Sequence, residues 1–353
     1  MDPVRVSDHA PLAPLTTLRL GGPAKRLVTA EREAELVDIV REVDRRKDAL
    51  LVIGGGSNLV VSDNGWDGTV VRIGTRGRTV APDPGDADRV LVTVQAGEPW
   101  DDLVGSLVDD GLAGVECLAG IPGLAGATPM QNVGAYGQDV GDTIVSLRAL
   151  DRARGEIVTF DRAACGFAYR SSVFRGKDRH VILDVTFALR QSRESTPIKY
   201  TELARALGVQ EGDRAPLDEV CRTVTALRRK KGMVLDPSDP DTTSAGSFFT
   251  NPILTPDELA RLRTRVNVEF PVFAESDGRA KVSAGWLIEH AGFPKGYAAG
   301  RVAVSSKHAL ALTNRGGATT TELVALARKI RDGVQQRFGV TLENEPVFVG
   351  VSL

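Results

Sequence analysis

Residues 50–58, with the sequence LLVIGGGSN, form a short apolar run that leads into successive glycines. The backbone amides of such a turn can form a concave nest for a phosphate group. A dinucleotide fingerprint of the GxGxxG type fails here, because Leu59 replaces its last glycine and VVSDNGWDG indicates a strand and a turn. The motif is therefore either an ordinary glycine turn or a phosphate-binding turn of another kind.

A second cluster of glycines lies between residues 111 and 141 and contains interspersed amide side chains, notably Gln131 and Asn132. Small residues with amides between them make a poor hydrophobic core. They make a good wall for a flat, polar ligand, since the backbone can approach closely and the amides can donate or accept hydrogen bonds. Two such segments together indicate a dinucleotide pyrophosphate and an attached ring system.

Composition excludes several classes of protein. The net charge is −2 and aromatic residues are only 5%, which argues against a polyanion-coating protein or a single-strand stacking platform. The sequence has no run of 18 apolar residues and no apolar leader, so we expect neither a membrane span nor a signal peptide. Sparse cysteines without CxxC (Cys117, Cys165, Cys221) and four histidines without HExxH indicate a reducing cytoplasm and no metal site.

The periodicity of the chain predicts alternating helices and strands. Helical spacing covers residues 33–47, 99–110 and 217–231, and capping boxes at Thr255 and Thr319 open two more helices. Strand-like runs occupy residues 50–53, 90–94, 143–150, 156–160, 181–189, 340–343 and 347–351. With 353 residues, more than one domain is expected. We predict an α+β protein with one domain over residues 1–192, divided into two subdomains near Ala49, and a second over residues 193–353.

The motifs GGGSN, IPGLAGATPMQNVGAYG, AYRSSVF, GSFFTNP and LENEPVF follow one another along the chain. In this order they resemble the UDP-N-acetylenolpyruvoylglucosamine reductase family, from about Thr17 to Val349. The resemblance implies a two-lobed FAD-binding domain of the vanillyl-alcohol-oxidase type and a C-terminal α+β substrate domain. It also implies non-covalent FAD, NADPH as hydride donor, and conversion of UDP-N-acetylglucosamine-enolpyruvate to UDP-N-acetylmuramate for the peptidoglycan of the bacterial cell wall.

The glycine clusters and this resemblance together assign a set of residues to the cofactor. These residues are Ile53, Gly54, Gly55, Gly56, Ser57, Asn58, Leu59, Ile121, Pro122, Gly123, Gly126, Ala127, Gln131, Asn132, Gly134, Ala135 and Tyr136.

The chemistry of such a reductase needs stabilisation of an enolate-like anion and a proton donor. By resemblance, the arginine and the carboxylic acid for this step fall on Arg170 and Glu345, and the proton-donor serine falls on Ser247. Glu343 lies two residues before Glu345, so an extended chain would place both carboxylates on one side, and only the family match selects Glu345.

Substrate contacts are assigned by resemblance as well, and they fall on Tyr169, Tyr200, Lys231, Asn251 and His290. Lys231 ends the cationic run Arg228-Arg229-Lys230-Lys231, in which we expect the first three residues to be solvated because cations complement a helix C-terminus. His290 is the weakest of the set, since a histidine close to Trp286 can simply be packed.

Two alternatives remain open at this point. The first is a flavin-dependent alcohol or lactone oxidoreductase, which often tethers FAD through His or Cys; Cys117 lies just before a glycine cluster. The second is a nucleotide-sugar-binding regulator without catalysis, against which the presence of Arg170, Ser247 and Glu345 argues. For the reductase we expect a monomer that binds its sugar nucleotide and NADPH, and no nucleic acid or membrane.

Overall fold

A computed structural model describes residues 5–353 as a mixed α and β protein. The strands, in chain order, are β1 (Arg5–Pro11), β2 (Pro23–Ala30), β3 (Leu50–Ile53), β4 (Leu59–Val61), β5 (Trp66–Ile73), β6 (Arg78–Pro82), β7 (Arg89–Gln95), β8 (Leu112–Ala113), β9 (Gly134–Ala135), β10 (Gln138–Asp139), β11 (Ile144–Asp151), β12 (Glu156–Asp161), β13 (His180–Gln191), β14 (Ser244–Ser247), β15 (Ile253–Leu254), β16 (Val272–Ala274), β17 (Ala280–Val282), β18 (Ala298–Ala299), β19 (Val302–Val304), β20 (Ala311–Asn314) and β21 (Val347–Val349). The α-helices are α1 (Glu33–Arg46), α2 (Trp100–Asp109), α3 (Thr201–Leu207), α4 (Leu217–Lys230), α5 (Pro256–Arg265), α6 (Ala284–His290) and α7 (Thr320–Phe338).

The chain divides into two compact units, each built from separate segments. The first unit contains the described residues through Ala10, followed by Ala24–Gly55 and Trp66–Arg229. The second unit contains Pro11–Pro23, Gly56–Gly65 and Lys230–Leu353. The chain therefore passes from the first unit to the second within the glycine turn, between Gly55 and Gly56.

One layer of the first unit is a four-stranded sheet in the order β1-β2-β5-β3, in which β5 pairs in parallel with both β2 and β3. Helix α1 buries Leu36, Val37, Val40 and Val43, the apolar stripe expected from a period of 3.6 residues. Full burial of each such side chain contributes about 1.5–3 kcal/mol. The α1 stripe therefore anchors the helix.

The other layer of the first unit is a mainly antiparallel sheet in the order β12-β11-β13-β7-β6, with β8 paired to β13. Helix α1 joins it to the first layer, because its apolar stripe shares a core cluster with Leu150 and Leu183 of this sheet. A salt bridge of 2.7 Å between Arg148 Nη2 and Glu33 Oε2 adds a polar tie at the same contact.

These layers do not follow the predicted division near Ala49. Strand β2 precedes Ala49 and strand β5 follows it, yet the two are hydrogen-bonded neighbours in one sheet. The first layer therefore runs to Ile73, because the parallel pairing of β2 with β5 needs residues on both sides of Ala49.

The end of the first unit also differs from the predicted boundary at residue 192. Residues 193–229 belong to the first unit, because Ile198, Leu203, Val220 and Val224 are buried in its main hydrophobic core. The polar segment at residues 191–196 is therefore a connection within a unit.

The second unit contains a sheet in the order β14-β20-β19-β18, a smaller sheet in the order β15-β17-β16, and the parallel pair β21-β4. Helix α7 begins at the predicted capping box, in which the Glu322 carboxylate accepts from the Thr319 N–H at 2.7 Å. It ends at Gly339, whose φ of 73° is the left-handed value that glycine adopts without steric cost. Thr255 caps α5 in the same way.

The predicted strand at residues 340–343 is absent from the described structure, and its apolar residues are buried for another reason. Val340 and Leu342 pack into the core of the second unit without joining a sheet. Sheet-like pairing starts at Asn344, which forms an isolated bridge with Phe249. The run is apolar because it covers the core.

Candidate active site

The predicted glycine turn lies against the second glycine cluster within the first unit. A Cβ atom added to Gly55 would lie 2.9 Å from the Cα of Gly123, and one added to Gly54 would contact the Leu124 side chain at 3.4 Å. Side chains are excluded at this crossing because the two backbones touch. Strand β3 delivers the turn to this position, and the bridge between Pro99 and Leu124 holds the other segment.

The side chain of Asn132 stabilises the segment that follows the contact between Gly55 and Gly123. Its Oδ1 accepts from the Gly141 N–H at 2.9 Å, and its Nδ2 donates to the Ala168 carbonyl at 3.1 Å. The residue is buried and has a φ of 51°. Both polar atoms of its amide therefore bind backbone, so its side chain fixes two loops, one of which leads directly into Tyr169 and Arg170.

Arg170 lies at the end of that loop and is held on the β9-β10 hairpin. Its Nη2 donates to the Gly134 carbonyl at 2.5 Å, and its Nη1 is 3.4 Å from the Asn132 carbonyl and from Asp139 Oδ1. Its side chain is only 19% exposed. The guanidinium also lies over the Tyr169 ring, 5.2 Å from the ring centroid.

Tyr136 and Tyr200 form an aromatic pair beside the same hairpin. Their ring centroids are 5.4 Å apart with the rings nearly perpendicular, a favourable edge-to-face geometry. Tyr136 is buried, whereas Tyr200 is 46% exposed. Tyr200 is therefore an exposed aromatic ring anchored on a predicted cofactor residue, and its role in binding substrate stays a prediction.

The burial of Arg228 contradicts the expectation that the first three residues of the cationic run are solvated. Arg229 and Lys230 are exposed, as expected, but Arg228 is partly buried and its Nε is shielded from solvent. Burial lowers the pKa of its guanidinium, and Tyr136 and Asp101 are the groups that oppose this shift. Arg228 follows Val224 by four residues on α4, so helical spacing already placed it on the buried face.

Ser247 and Glu345 are brought together in the second unit. Ser247 ends β14 and pairs with Ala311 of β20. The next residue, Phe248, accepts the backbone N–H of Glu345 at 2.9 Å, and the Asn344–Phe249 bridge continues this pairing. The segment that carries the glutamate therefore runs directly beside the residues that follow the serine.

Asn58 ties the end of the glycine turn to the same segment. Its Nδ2 donates to the Glu345 carbonyl at 3.4 Å, and its own carbonyl accepts from the Val347 N–H at 2.9 Å. Strand β4, which starts one residue later, pairs in parallel with β21. The second half of the GGGSN motif is thus built into the neighbourhood of Glu345.

The structure separates Glu343 from Glu345, which spacing alone did not. Glu345 is half-buried, whereas Glu343 is exposed. The Glu343 carbonyl accepts the Thr250 N–H at 3.0 Å, so the two glutamates flank the bridge at Asn344. Of the two, Glu345 is the one that is withdrawn from solvent.

The remaining predicted substrate residues differ in the contacts that they make within the protein. Lys231 is half-buried in the second unit. Asn251 Oδ1 accepts the N–H of Ala284, the first residue of α6, at 2.9 Å. The His290 ring is stacked on Trp286 with 3.8 Å between centroids, and its Nδ1 is 2.8 Å from the Trp286 carbonyl. His290 is therefore an exposed residue whose ring packs on Trp286, and its contact with substrate stays a prediction.

Asp139 was missed by the sequence argument although it is the ion-pair partner of Arg170. The sequence does single out Asp139 as a structural residue, because Asp139 and Asp142 have the spacing of a capping box and lie just after the AYG motif. Nothing in that spacing points to Arg170, which is 31 residues away in sequence.

Residues 5–353 lack two further features. No helix in this part of the chain is both long and apolar enough to cross a membrane. The described residues also contain no group of three His, Cys, Asp or Glu side chains placed to hold a metal ion.

Comparison with known proteins covers nearly the whole chain. Residues 24–161 match the family described as FAD binding domain, and residues 237–349 match the family described as UDP-N-acetylenolpyruvoylglucosamine reductase, C-terminal domain. The UDP-N-acetylenolpyruvoylglucosamine reductase of Thermobifida fusca is 56% identical over 98% of each chain. That of Streptomyces coelicolor is 55% identical over 100% of this chain and 92% of its own.

Among solved structures, the UDP-N-acetylenolpyruvylglucosamine reductase of Thermus caldophilus is similar over 98% of this chain and 99% of its own, with 24% identity and a TM-score of 0.66. This similarity shows a common fold. The predicted α+β class is confirmed, with an FAD-binding domain followed by the C-terminal domain of the reductase family. The chain therefore belongs to the UDP-N-acetylenolpyruvoylglucosamine reductase family.

Proposed function

We propose that the protein reduces the enolpyruvyl ether of UDP-N-acetylglucosamine-enolpyruvate to UDP-N-acetylmuramate, with NADPH as the reductant, in peptidoglycan synthesis. The observation that carries this proposal is 56% identity over 98% of a reductase of that name. The residues at the matching motifs support it. Arg170 is a half-buried cation of the first unit, and in the second unit the Glu345 N–H binds the carbonyl of Phe248, the residue that follows Ser247.

The glycine crossing fits FAD. The absence of a side chain at Gly55 leaves its backbone in contact with that of Gly123, which is the type of surface that approaches a pyrophosphate closely. Residues from both glycine segments would hold the cofactor, with Tyr136 in the wall beside them. When bound there, FAD would supply hydride transfer from NADPH to the methylene carbon of the enolpyruvyl group.

The chain supplies charge stabilisation and a proton. We assign Arg170 to the substrate carboxylate, where its fixed positive charge stabilises the enolate that forms after hydride addition. Ser247 Oγ donates a proton to the carbon next to the carboxylate and regains one from solvent. In its protonated form Glu345 donates a hydrogen bond to the substrate carboxylate or relays that proton. Its half-buried position favours either role, because exclusion of water strengthens such contacts.

Cys117 argues against the alternative of a covalently tethered flavin oxidase. The thiolate is the reactive form of cysteine, and burial raises the pKa of the Cys117 thiol far above its usual range. A neutral, buried thiol is a poor nucleophile for attachment to a flavin.

The visible spectrum of the purified protein tests the proposal directly. We expect a yellow protein that NADPH bleaches under anaerobic conditions and that regains its colour when UDP-N-acetylglucosamine-enolpyruvate is added. Yellow colour that remains in an acid-denatured pellet would indicate a tethered flavin and the alternative oxidase. Failure of NADPH to bleach the protein would indicate a binding protein without this activity.

Gly55→Ala should release the cofactor. The new Cβ would lie 2.9 Å from the Gly123 Cα, a distance that backbone must move to relieve. Overpacking of this type costs about 1–3 kcal/mol, so we expect FAD affinity to fall by about 10-fold or more. The ratio of flavin to protein absorbance after dialysis measures the loss.

Gly105→Ala is the matched control for that substitution. Gly105 lies in α2, and nothing is within 4 Å of the position its Cβ would take. This change should retain full FAD and raise stability by about 0.5–1 kcal/mol, because alanine suits a helix interior better. Full flavin retention by Gly55→Ala would refute the assignment of the crossing to the pyrophosphate.

Lys231→Ala should weaken substrate binding more than it slows chemistry. A diphosphate contact is made in both the ground state and the transition state, so its loss raises KM and leaves kcat nearly unchanged. Loss of a charge-assisted hydrogen bond predicts an increase of about 10–100-fold in KM. Steady-state kinetics at varied sugar nucleotide measures both constants.

Arg229→Ala is the companion variant, since Arg229 is exposed two residues earlier. It should change KM by no more than about twofold, as surface substitutions cost under about 0.5 kcal/mol. Large effects of similar size at both positions would show that the whole cationic run binds the substrate.

We also infer a monomer that acts in the cytoplasm. The sparse cysteines, which form no disulfide, support the cytoplasmic location, because disulfides are rare in that compartment. Light scattering of the eluted protein tests the monomer, since a mass of twice 37.7 kDa would contradict it.

A further inference from the structure

The guanidinium of Arg170 is held by one short hairpin. The oxygens that accept from it are the carbonyls of Gly134 and Asn132 and the carboxylate of Asp139, at 2.5, 3.4 and 3.4 Å. Two of these acceptors are fixed backbone atoms. Asp139 is the charged one, and it is located on β10, opposite Gly134 of β9.

The backbone at Arg170 is also constrained. Its φ is 47°, in the left-handed region that residues with a side chain rarely adopt. The surrounding loop enforces this conformation, since Ala168 and Ser171 exchange backbone hydrogen bonds and Arg175 Nη1 donates to the Arg170 carbonyl at 2.8 Å. Strain of this kind persists where the surroundings define the conformation, and it concentrates at functional sites.

Gly134 provides the space for the ion pair. A Cβ at this position would lie 1.6 Å from Asp139 Oδ1 and 2.9 Å from Arg170 Nη1. The carboxylate and the guanidinium thus rest together on a backbone that has no side chain. Burial raises the pKa of Asp139, and the positive charge of Arg170 is the largest influence that opposes this shift.

We propose that Asp139 is a positioning residue whose carboxylate, with the Gly134 and Asn132 carbonyls, orients the Arg170 guanidinium toward the substrate carboxylate. The proposal rests on the role assigned to Arg170 in the proposed function. Asp139 itself acts through Arg170, because its ion-pair contact is to the guanidinium. A misplacement of the guanidinium of about 1 Å can cost about 10²-fold in rate.

Asp139 has a second role that the test must separate from the first. Its side chain also accepts the backbone N–H at Asp142, and the Asp142 carboxylate accepts the N–H of Asp139 in return. Asparagine at residue 139 keeps an oxygen for this cap but removes the negative charge. Asp142→Asn alters the other half of the same capping box, so it is a matched control.

The experiment compares Asp139→Asn, Asp142→Asn, Arg170→Ala and the double variant Asp139→Asn/Arg170→Ala as FAD-loaded full chains. Stopped-flow absorbance gives the rate of flavin reoxidation by the enolpyruvyl sugar nucleotide. Calorimetry gives the Kd for UDP-N-acetylmuramate, which is independent of turnover. Flavin content and melting temperature report whether each variant is folded.

We expect Asp139→Asn to slow reoxidation by about 10–100-fold, with a Kd for product within about threefold of wild type, because orientation affects the transition state more than binding. Asp142→Asn should stay within about threefold of the wild-type rate. In the Arg170→Ala background, Asp139→Asn should cost no more than about twofold, since a residue that acts through Arg170 has nothing left to orient.

Two results would overturn the proposal. One is a wild-type rate for Asp139→Asn, and the other is a loss from Asp139→Asn that is equally large with and without Arg170, which identifies a purely structural role. If Arg170→Ala itself reoxidises at the wild-type rate, the failure lies in the proposed role of Arg170 and is distinguishable from both.

Discussion

Replacing Ser247 with alanine is expected to slow reoxidation of the flavin by substrate by about 10²–10⁴-fold, the usual cost of removing a positioned proton donor. Ser247 lies at the end of β14, next to the residue that pairs with Glu345. It lies in the second unit, whereas the Gly55–Gly123 crossing lies in the first. Flavin content and reduction by NADPH should therefore remain close to wild type, and stopped-flow absorbance of the two half-reactions separates these effects.

Thr255→Ala provides the control for loss of a hydroxyl in the same unit. Thr255 caps α5 and lies outside the proposed site, so its replacement should cost about 1 kcal/mol of stability without slowing reoxidation. This variant shows that a modest loss of stability does not mimic a chemical defect. Near-wild-type reoxidation in single-turnover traces of Ser247→Ala would refute Ser247 as the proton donor.

Glu345→Gln is expected to have the second-largest effect, a loss of about 10²–10³-fold in the rate of flavin reoxidation, similar to removing one stabilising group from an oxyanion site. The substitution preserves shape and the half-buried packing but replaces the carboxyl group with an amide, which can neither ionise nor relay a proton. Reduction of the flavin by NADPH should be nearly unchanged. Stopped-flow absorbance again measures the two half-reactions separately.

Glu343→Gln is the comparison that the structure makes informative. Glu343 is exposed on the other side of the Asn344–Phe249 bridge, and its interaction with Thr250 is made by its backbone carbonyl, which the substitution retains. We expect its rate to stay within a few fold of wild type, as surface changes cost under about 0.5 kcal/mol. A slow Glu343→Gln with a normal Glu345→Gln would move the catalytic carboxylate to Glu343.

Local elements could be predicted from sequence wherever periodicity and capping agreed. Helix α1 begins at Glu33 and buries the apolar stripe that its spacing predicts, and α5 and α7 begin at the predicted capping boxes. These features depend on contacts within a few residues, which a single sequence records directly. The same locality explains why β7, β11, β12 and β13 lie close to their predicted bounds.

Features that depend on distant partners could not be predicted. The division near Ala49 failed because the parallel pairing of β2 with β5 crosses that point, and the boundary at residue 192 failed because the apolar face of α4 packs in the first unit. Residues 340–343 have the composition of a strand, yet they cover a core. In each case the apolar pattern was compatible with more than one structure, and contacts with residues distant in sequence determined which one forms.

The candidate site shows the same contrast at the level of side chains. Motif matches indicated Arg170, Ser247 and Glu345, but they carried no information about what holds them. The ion pair between Asp139 and Arg170 and the bond from Asn58 to the Glu345 backbone join residues that are 31 and 287 positions apart. Such supporting contacts leave no spacing pattern in one sequence.

The pairing of β4 with β21 has a consequence for the order of events during synthesis. Asn58 and Glu345 are 287 residues apart. At a synthesis rate of about 5–20 residues per second, β21 is therefore made on the order of 15–60 s after its partner β4. Val60 and Val61 are buried in the complete fold, but before β21 is synthesised this apolar segment lacks its pairing partner. Unpaired apolar strands invite association with other chains. A chain released before Val347 is translated would therefore contain every residue of the first unit. Its second unit would lack β21, the pairing partner of β4.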